Sequence, residues 1–137
     1  SRDENYMLKV QIPDPTRSWL ENLDDCVVSL NQHGCAIDTY LWSTFTRPNV
    51  NDHVLRCANA ACANHRMYVT PAPQENYTYV AAGNTQSRYK RIIKIDDSIG
   101  GSLGEAKVTS EVSWTNASGV TKSFMLTEYL FDLYENQ

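Results

Sequence analysis

The strongest structural signal in this chain comes from residues 105–130, which begin with the run Glu105-Ala-Lys-Val-Thr-Ser-Glu-Val-Ser-Trp114. Apolar and polar residues alternate along this run, with Ser110 as the one polar interruption of the apolar row. A period of two is typical of a β-strand that is buried on one face and solvated on the other. The row predicted to be buried consists of Ala106, Val108, Val112 and Trp114.

A turn and a second strand follow this run. The turn is Thr115-Asn-Ala-Ser-Gly119, and the strand is Val120-Thr-Lys-Ser-Phe-Met-Leu-Thr-Glu-Tyr-Leu130. Val120, Phe124 and Leu126 continue an apolar row beyond the turn, and Lys122 lies on the same row near the turn, where it can reach water. The two runs therefore predict a β-hairpin with one apolar face.

A third antiparallel strand is predicted upstream, at Tyr89-Lys-Arg-Ile-Ile-Lys-Ile95. A loop rich in glycine and turn-forming residues separates it from the hairpin at residues 96–104. Three strands with one apolar face need another element to cover that face. We expect the core of this sheet to contain Ile93, Val108, Val112, Trp114, Phe124 and Leu126.

An amphipathic helix is predicted over residues 15–32. Asp14 and Pro15 provide an N-cap and a first helical position, and Gly34 provides a stop. Apolar residues between them recur at spacings of three and four, and these are Trp19, Leu20, Leu23, Cys26, Val27 and Leu30. The predicted fold class is α+β, in which the antiparallel C-terminal sheet packs against this N-terminal helix. Residues 36–80 would form a disulfide-stapled connection with short strands at 36–46 and 77–81.

Residues 89–131, about a third of the chain, resemble the C-terminal part of bacterial type IV minor pilins and type II secretion pseudopilins. In that family a charged strand precedes a Lys-Val-Thr-x-x-Val-x-Trp strand, a turn with glycine, and a Lys-Ser-x-x-Leu-Thr-x-Tyr-Leu strand. The matching residues here are Lys107, Val108, Thr109, Val112, Trp114, Gly119, Lys122, Ser123, Leu126, Thr127, Tyr129 and Leu130.

The resemblance implies that residues 1–137 form a single pilin-like ectodomain. The family opens with a cleaved leader and a long apolar helix, neither of which is present here, so we expect a soluble piece that starts after that helix. The protein would be a non-enzymatic filament subunit, extracellular or periplasmic, that takes part in assembly or acts at the tip. Its partners would be other pilins or pseudopilins, and the missing helix would anchor it in the inner membrane before assembly.

An alternative is a stand-alone secreted domain, an adhesin or a receptor-binding module, that shares only the hairpin with this family. The receptor of such a domain is unknown. Fourteen aromatic residues, eight of them tyrosine, could supply a contact surface for either function.

Four cysteines form two close pairs along the sequence, Cys26 with Cys35 and Cys57 with Cys62. In an exported protein an even count at short separations is typical of structural disulfides. Three pairings of four cysteines are possible, and the sequence does not choose among them. The local pairing is favoured, because it would hold segments that lack a core of their own.

A zinc site is the competing interpretation of the second pair. The motif His53-x3-Cys57-x4-Cys62-x2-His65 supplies ligand types that suit tetrahedral zinc. Its spacing fits no standard zinc finger, and oxidised cysteines would be poor ligands. A zinc-binding module therefore stays a lesser alternative, and no metal or cofactor is expected.

Composition and charge exclude several other classes. The chain has 42% hydrophobic and 20% charged residues and a net charge of −4, which does not favour nucleic-acid binding. No apolar run approaches the length of a membrane span. Catalytic motifs are missing, and the acidic pairs Asp24-Asp25 and Asp96-Asp97 are consecutive rather than convergent, so no enzyme activity is expected. A calcium loop at Asp96, Asp97 and Glu105 lacks the repeated acids of a dedicated site.

Overall fold

The computed structural model describes residues 20, 23–40, 53–98 and 104–131. Within these residues the chain forms a 3₁₀ helix, Asp24–Cys26, and eight β-strands, and Thr39 and Tyr40 are also helical. The strands are β1 (Cys35–Ile37), β2 (Val54–Arg56), β3 (Tyr68–Val69), β4 (Tyr77–Thr78), β5 (Thr85–Gln86), β6 (Tyr89–Asp96), β7 (Glu105–Thr115) and β8 (Thr121–Phe131).

The described strands form two antiparallel sheets. The larger sheet has the order β2-β1-β6-β7-β8, and the smaller has the order β4-β3-β5. The three strands predicted from the alternating pattern are present as β6, β7 and β8. Their register places Val112 opposite Arg91 on one side and opposite Phe124 on the other.

The helix predicted over residues 15–32 is wrong in its described part. After the short 3₁₀ helix, Val27 adopts an extended conformation with φ −74° and ψ 121°. Val27 forms a parallel bridge with Ile95, and the Val28 N–H donates a hydrogen bond to the Ile95 carbonyl at 2.8 Å. Tertiary pairing with β6 thus overrides a helical spacing that propensity supports only weakly. Residues 15–19 and 21–22 of the predicted helix lie outside the described residues.

The predicted fold class therefore needs correction. The part of the chain that the structure describes is mostly antiparallel sheet and contains no helix of seven or more residues, so it is not an α+β pilin-like fold with an N-terminal helix. Of the predicted strand at 36–46, only residues 36–37 are extended, as part of β1; Thr39 and Tyr40 are helical, and residues 41–46 lie outside the described ranges. The predicted strand at 77–81 is represented by the shorter β4.

The core is split between the two faces of the larger sheet, because neighbouring residues of a strand point to opposite faces. The main cluster contains Leu20, Cys26, Val27, Cys35, Val54, Ile95 and Ala106. The second cluster contains Ala36, Cys57 and Cys62, with Leu55, Tyr79 and Ile92 packed against it. Residues 23–28, called here the N-terminal segment, meet the sheet at β6: the 3₁₀ helix packs in the main cluster, and Val27 pairs with Ile95. The Cys57–Cys62 loop lies on the opposite face.

All four cysteines are paired, Cys26 with Cys35 and Cys57 with Cys62, which are the local pairs favoured from the sequence. Both bonds join Cα atoms 4.6 Å apart. The first bond ties the segment that covers β6 to strand β1. The second bond closes the loop beside the second cluster.

Gly34 allows the segment between the first two cysteines to approach β6 closely. Its φ is +77°, and a Cβ built there would lie 2.5 Å from the Ile93 carbonyl oxygen and 2.8 Å from the Lys94 side chain. The sequence predicts Gly34 as a helix stop, but the structure uses it for this backbone contact. Glycine fits because it has no Cβ and adopts positive φ without a steric penalty.

Replacement of Ile95 with alanine should destabilise the domain strongly. Ile95 is 2% exposed, so Ile95→Ala removes buried methyl groups and leaves a cavity, at a cost of about 2 to 5 kcal/mol. The matched control Leu126→Ala truncates a side chain that is 58% exposed and should cost less than about 1 kcal/mol. Urea denaturation of both variants at low protein concentration measures the difference. Equal losses would show that the core does not lie at Ile95.

Two glycine substitutions separate backbone strain from steric overlap. Gly34 and Gly119 have nearly the same φ, +77° and +79°, but no atom lies within 4 Å of a Cβ built at Gly119. Gly119→Ala should therefore cost only the left-handed strain, about 1 to 2 kcal/mol. Gly34→Ala should cost about 1 to 3 kcal/mol more, because the methyl group meets the backbone of β6. Equal midpoints in thermal unfolding would contradict the close contact between Gly34 and β6.

Candidate interaction surface

The residues predicted to form the sheet core occupy different environments. Ile93 and Val108 pack against the main cluster, and Val112 and Trp114 are half-buried. Phe124 and Leu126 are 57% and 58% exposed. The expectation that these last two lie in a core is therefore not met, and all eleven residues of β8 are exposed.

The position of the covering segment explains this difference. The 3₁₀ helix and Val27 meet β6 at Ile95, and the main cluster extends across the sheet only to Ala106 and Val108 on β7. The β7–β8 hairpin continues beyond this cover. Among the described residues, no element packs on β8 from either face.

We call the exposed apolar side chains of β8 the hairpin patch. It consists of Phe124, Met125, Leu126, Tyr129, Leu130 and Phe131, which are 41% to 59% exposed. Successive strand residues alternate between faces, so the patch shows apolar groups on both faces of the hairpin. A cluster of exposed apolar side chains of this kind is typical of a protein interaction site.

Aromatic contacts hold the hairpin at its turn end. The rings of Tyr89 and Trp114 have centroids 5.9 Å apart, and those of Tyr77 and Tyr89 are 6.5 Å apart. The Arg88 guanidinium lies 5.0 Å from the Tyr89 ring centroid. These contacts join β7 to β6 and to the smaller sheet, so the hairpin is anchored to the domain even though β8 is exposed.

A shallow groove of about 320 Å³ lies beside this aromatic anchor. Arg66, Arg88 and Lys90 line it together with the Tyr89 ring. Such a lining suits an acidic group.

Asp38 is the most deeply placed carboxylate in the described part of the chain, with 1% exposure. The Thr78 hydroxyl and the Tyr79 N–H each donate a hydrogen bond to its Oδ2 at 2.7 Å, and the Tyr40 N–H donates to its Oδ1 at 3.1 Å. These bonds tie the end of β1 to β4 in the other sheet. Sequence reasoning missed this residue, because one acidic residue after a short apolar run gives no periodic signal.

Tyr79 lies beside this carboxylate and extends the link to β6. Burial raises the pKa of its hydroxyl above the ordinary value, and that hydroxyl donates to the Arg91 carbonyl at 3.4 Å. The Arg91 guanidinium in turn donates to the Ile37 carbonyl at 2.6 Å. These hydrogen bonds connect β1, β4 and β6, so the polar groups have a structural role.

The four residues of the possible zinc motif do not form a ligand set. Cys57 and Cys62 are joined in a disulfide, so neither offers a thiolate. The His65 Nε2 lies 3.0 Å from the Arg56 carbonyl, and His53 is 2% exposed. Within the described ranges, no three or more metal-ligating side chains lie together in a group that could hold an ion. The disulfide removes the sulfur ligands on which the zinc interpretation depends.

The acidic pairs act separately at the surface. Asp25 forms an ion pair with Arg56 at 3.0 Å, and both side chains are exposed. The Ser98 hydroxyl and N–H donate to the Asp96 carboxylate at 2.6 and 3.0 Å, and these bonds lower the pKa of Asp96. Asp97 accepts a hydrogen bond from Ser29 at 3.3 Å. Neither pair directs two carboxyl groups to one point.

No family model, curated protein or solved structure matches this chain. The two disulfides indicate an oxidising compartment, extracellular or periplasmic. None of the helices within the described residues has the length and apolar character that a membrane crossing requires.

Replacement of Thr78 tests the buried Asp38 network. Thr78→Val removes a hydroxyl that donates to Asp38 and accepts from the Val80 N–H, so we expect a loss of about 2 to 3 kcal/mol in unfolding free energy. Thr78→Ser keeps the hydroxyl and removes one methyl group, which should cost about 1 kcal/mol. Chemical denaturation of the two variants measures both losses. A serine variant as unstable as the valine variant would show that the methyl group matters and the hydrogen bonds do not.

Proposed function

We propose that this chain is a non-enzymatic subunit of an exported bacterial filament, of the minor pilin or pseudopilin kind. It would dock in that assembly through its β7–β8 hairpin. The observation that carries the proposal is the hairpin patch, which is broad, apolar and exposed on a disulfide-stapled domain. The resemblance of residues 89–131 to that family supports the same choice.

The chemistry of the patch suits an apolar helix as the docking element. On one face Val112, Phe124, Leu126 and Leu130 present branched and aromatic groups, and the charged residues of β8 on the same face are Lys122 and Glu128. Each apolar side chain that becomes fully buried on docking contributes about 1.5 to 3 kcal/mol. An apolar helix of the filament rod would cover this face, and neighbouring pilins would supply further contacts.

In this proposal an apolar helix anchors the subunit in the inner membrane before assembly and lies in the filament core afterwards. The protein would then act in the initiation of assembly or at the filament tip. Its oxidised cysteines are consistent with a domain that is displayed outside the cytoplasm.

The second candidate is a stand-alone secreted adhesin or receptor-binding domain. The observation that favours it is the N-terminal segment, where a 3₁₀ helix and a β-bridge replace the amphipathic helix expected of a pilin. Residues encoded upstream of Ser1 separate the two candidates. A filament subunit requires a prepilin leader and an apolar helix there.

Polar substitution of the patch tests the filament function in the bacterium that encodes this chain. The double variant Phe124→Ser with Leu126→Ser should reduce surface filaments at least about tenfold, because it removes the apolar docking face. Electron microscopy of the cells counts the filaments. The matched control is Val120→Ser, which changes an equally exposed apolar residue, 53%, next to the turn and outside the patch.

The control should leave filament numbers at the wild-type level. Normal filament numbers with the double variant would contradict the proposal. Free secretion of the wild-type protein, with binding to host cells that the double variant loses, would establish the adhesin alternative instead.

A further inference from the structure

The outer edge of β8 is a long row of backbone groups without a neighbouring strand in the described structure. β8 is the last strand of the larger sheet, it has eleven residues, and all of them are exposed. Natural edge strands are usually short or interrupted by proline, bulges or several charges, because an open edge pairs readily with another strand. Along Thr121–Phe131 the register with β7 is continuous, with no bulge.

The backbone hydrogen bond next to the hairpin turn shows which residues of β8 direct their backbone groups to the open edge. The Asn116 N–H donates to the Val120 carbonyl at 2.9 Å, so this pair is a hydrogen-bonded pair of the ladder. Bonded and non-bonded pairs alternate along antiparallel strands. Even-numbered residues of β8 therefore direct their N–H and C=O groups to β7, and odd-numbered residues direct theirs outward.

The sequence of β8 is nearly symmetric in chemical character about Met125. The symmetric run is Lys122-Ser-Phe-Met-Leu-Thr-Glu128. Its two end residues carry opposite charges, and the residue next to each end is a serine or a threonine. An apolar residue flanks the central methionine on each side. When two copies of this run are aligned antiparallel on Met125, Lys122 of each copy faces Glu128 of the other. Phe124 then faces Leu126, and Ser123 faces Thr127.

We infer that a second copy of this chain pairs edge to edge with β8, antiparallel, about a two-fold axis through Met125. An isologous pair of this kind extends the two sheets into one continuous sheet. Met125 is odd-numbered, so its N–H and C=O point outward and can bond to the same groups of the second copy. This inference stands independently of the filament proposal, which uses the face of the hairpin and not its edge.

The charges favour this alignment over its neighbours. If the axis moves to Phe124, Lys122 faces Leu126 and Glu128 faces Val120. If it moves to Leu126, Lys122 faces Leu130 and Glu128 faces Phe124. Only the axis at Met125 places each charged side chain opposite one of the other sign. Opposite charges across a strand pair stabilise the pairing, whereas a charge opposite an apolar side chain adds no electrostatic attraction.

The charges also select a second copy over an unrelated strand. Within the chain, Lys122 and Glu128 lie opposite Trp114 and Val108 on β7, so neither has an acidic or basic cross-strand partner there. A matching strand needs a base and an acid six residues apart in the reverse direction, with apolar residues between them. This chain supplies that pattern itself.

Sedimentation equilibrium of the oxidised chain, from micromolar to millimolar concentration, tests the pairing. We expect a reversible dimer. Lys122→Glu and Glu128→Lys should each weaken it at least about tenfold, because each places like charges opposite one another twice per dimer. The double variant Lys122→Glu with Glu128→Lys restores opposite charges in the same alignment, so its dissociation constant should return to within about threefold of wild type.

Cysteine cross-linking provides an independent measurement of the axis. Met125→Cys should form a disulfide between two copies under mild oxidation, because a hydrogen-bonded pair brings its Cα atoms to about 5.5 Å. The matched control Ser123→Cys should not cross-link. Its two copies would be displaced by four residues, roughly 14 Å along the strand, beyond disulfide reach.

Far-UV circular dichroism confirms that each variant is folded, and recovery in the double variant shows that the single variants did not fail through misfolding. The inference is overturned if the wild-type chain stays monomeric at millimolar concentration or forms open-ended aggregates. It is also overturned if the single variants dimerise like wild type, or if the double variant stays as weak as they are. None of these outcomes bears on the filament counts that test the proposed function.

Discussion

The pairing of the N-terminal segment with β6 determines how the rest of this structure is arranged. The Val28 N–H bonds to the Ile95 carbonyl at 2.8 Å, and the Cys26–Cys35 disulfide keeps the segment beside β1. Gly34 lets the backbone come this close. The main cluster forms where this segment meets the sheet. Because the segment ends at β6 and the first part of β7, the far side of the sheet keeps its apolar residues in contact with solvent.

The strands and the turn of the hairpin could be predicted because their signals are local. The period of two over Glu105–Trp114 is visible from neighbouring residues alone, and the turn residues before Gly119 lie directly after it in the sequence. The local disulfides could be favoured for a similar reason, since short separations bring two cysteines together without help from distant contacts. Such features depend little on the remainder of the chain.

The other features depend on distant contacts that the sequence does not display. The spacing of Leu23, Cys26 and Val27 is compatible with a helix, and only the pairing of Val27 with Ile95 selects the extended form. The apolar row of Phe124 and Leu126 was recognisable, but alternation does not show whether another element reaches that row. Asp38 gives no pattern at all, and its role follows from Thr78 and Tyr79, which lie far along the chain.

The face and the edge of β8 are physically separable, and this separation matters for any assembly that the chain enters. Side chains such as Phe124 and Leu126 leave the sheet perpendicular to it, whereas the outward backbone groups of Met125 lie in its plane. A partner on the face excludes water from the apolar groups, and a strand on the edge satisfies the backbone ladder. One copy can therefore bind two neighbours at once. Lys122 and Glu128 restrict the edge to one alignment, which directs a strand otherwise prone to open-ended association towards a closed pair.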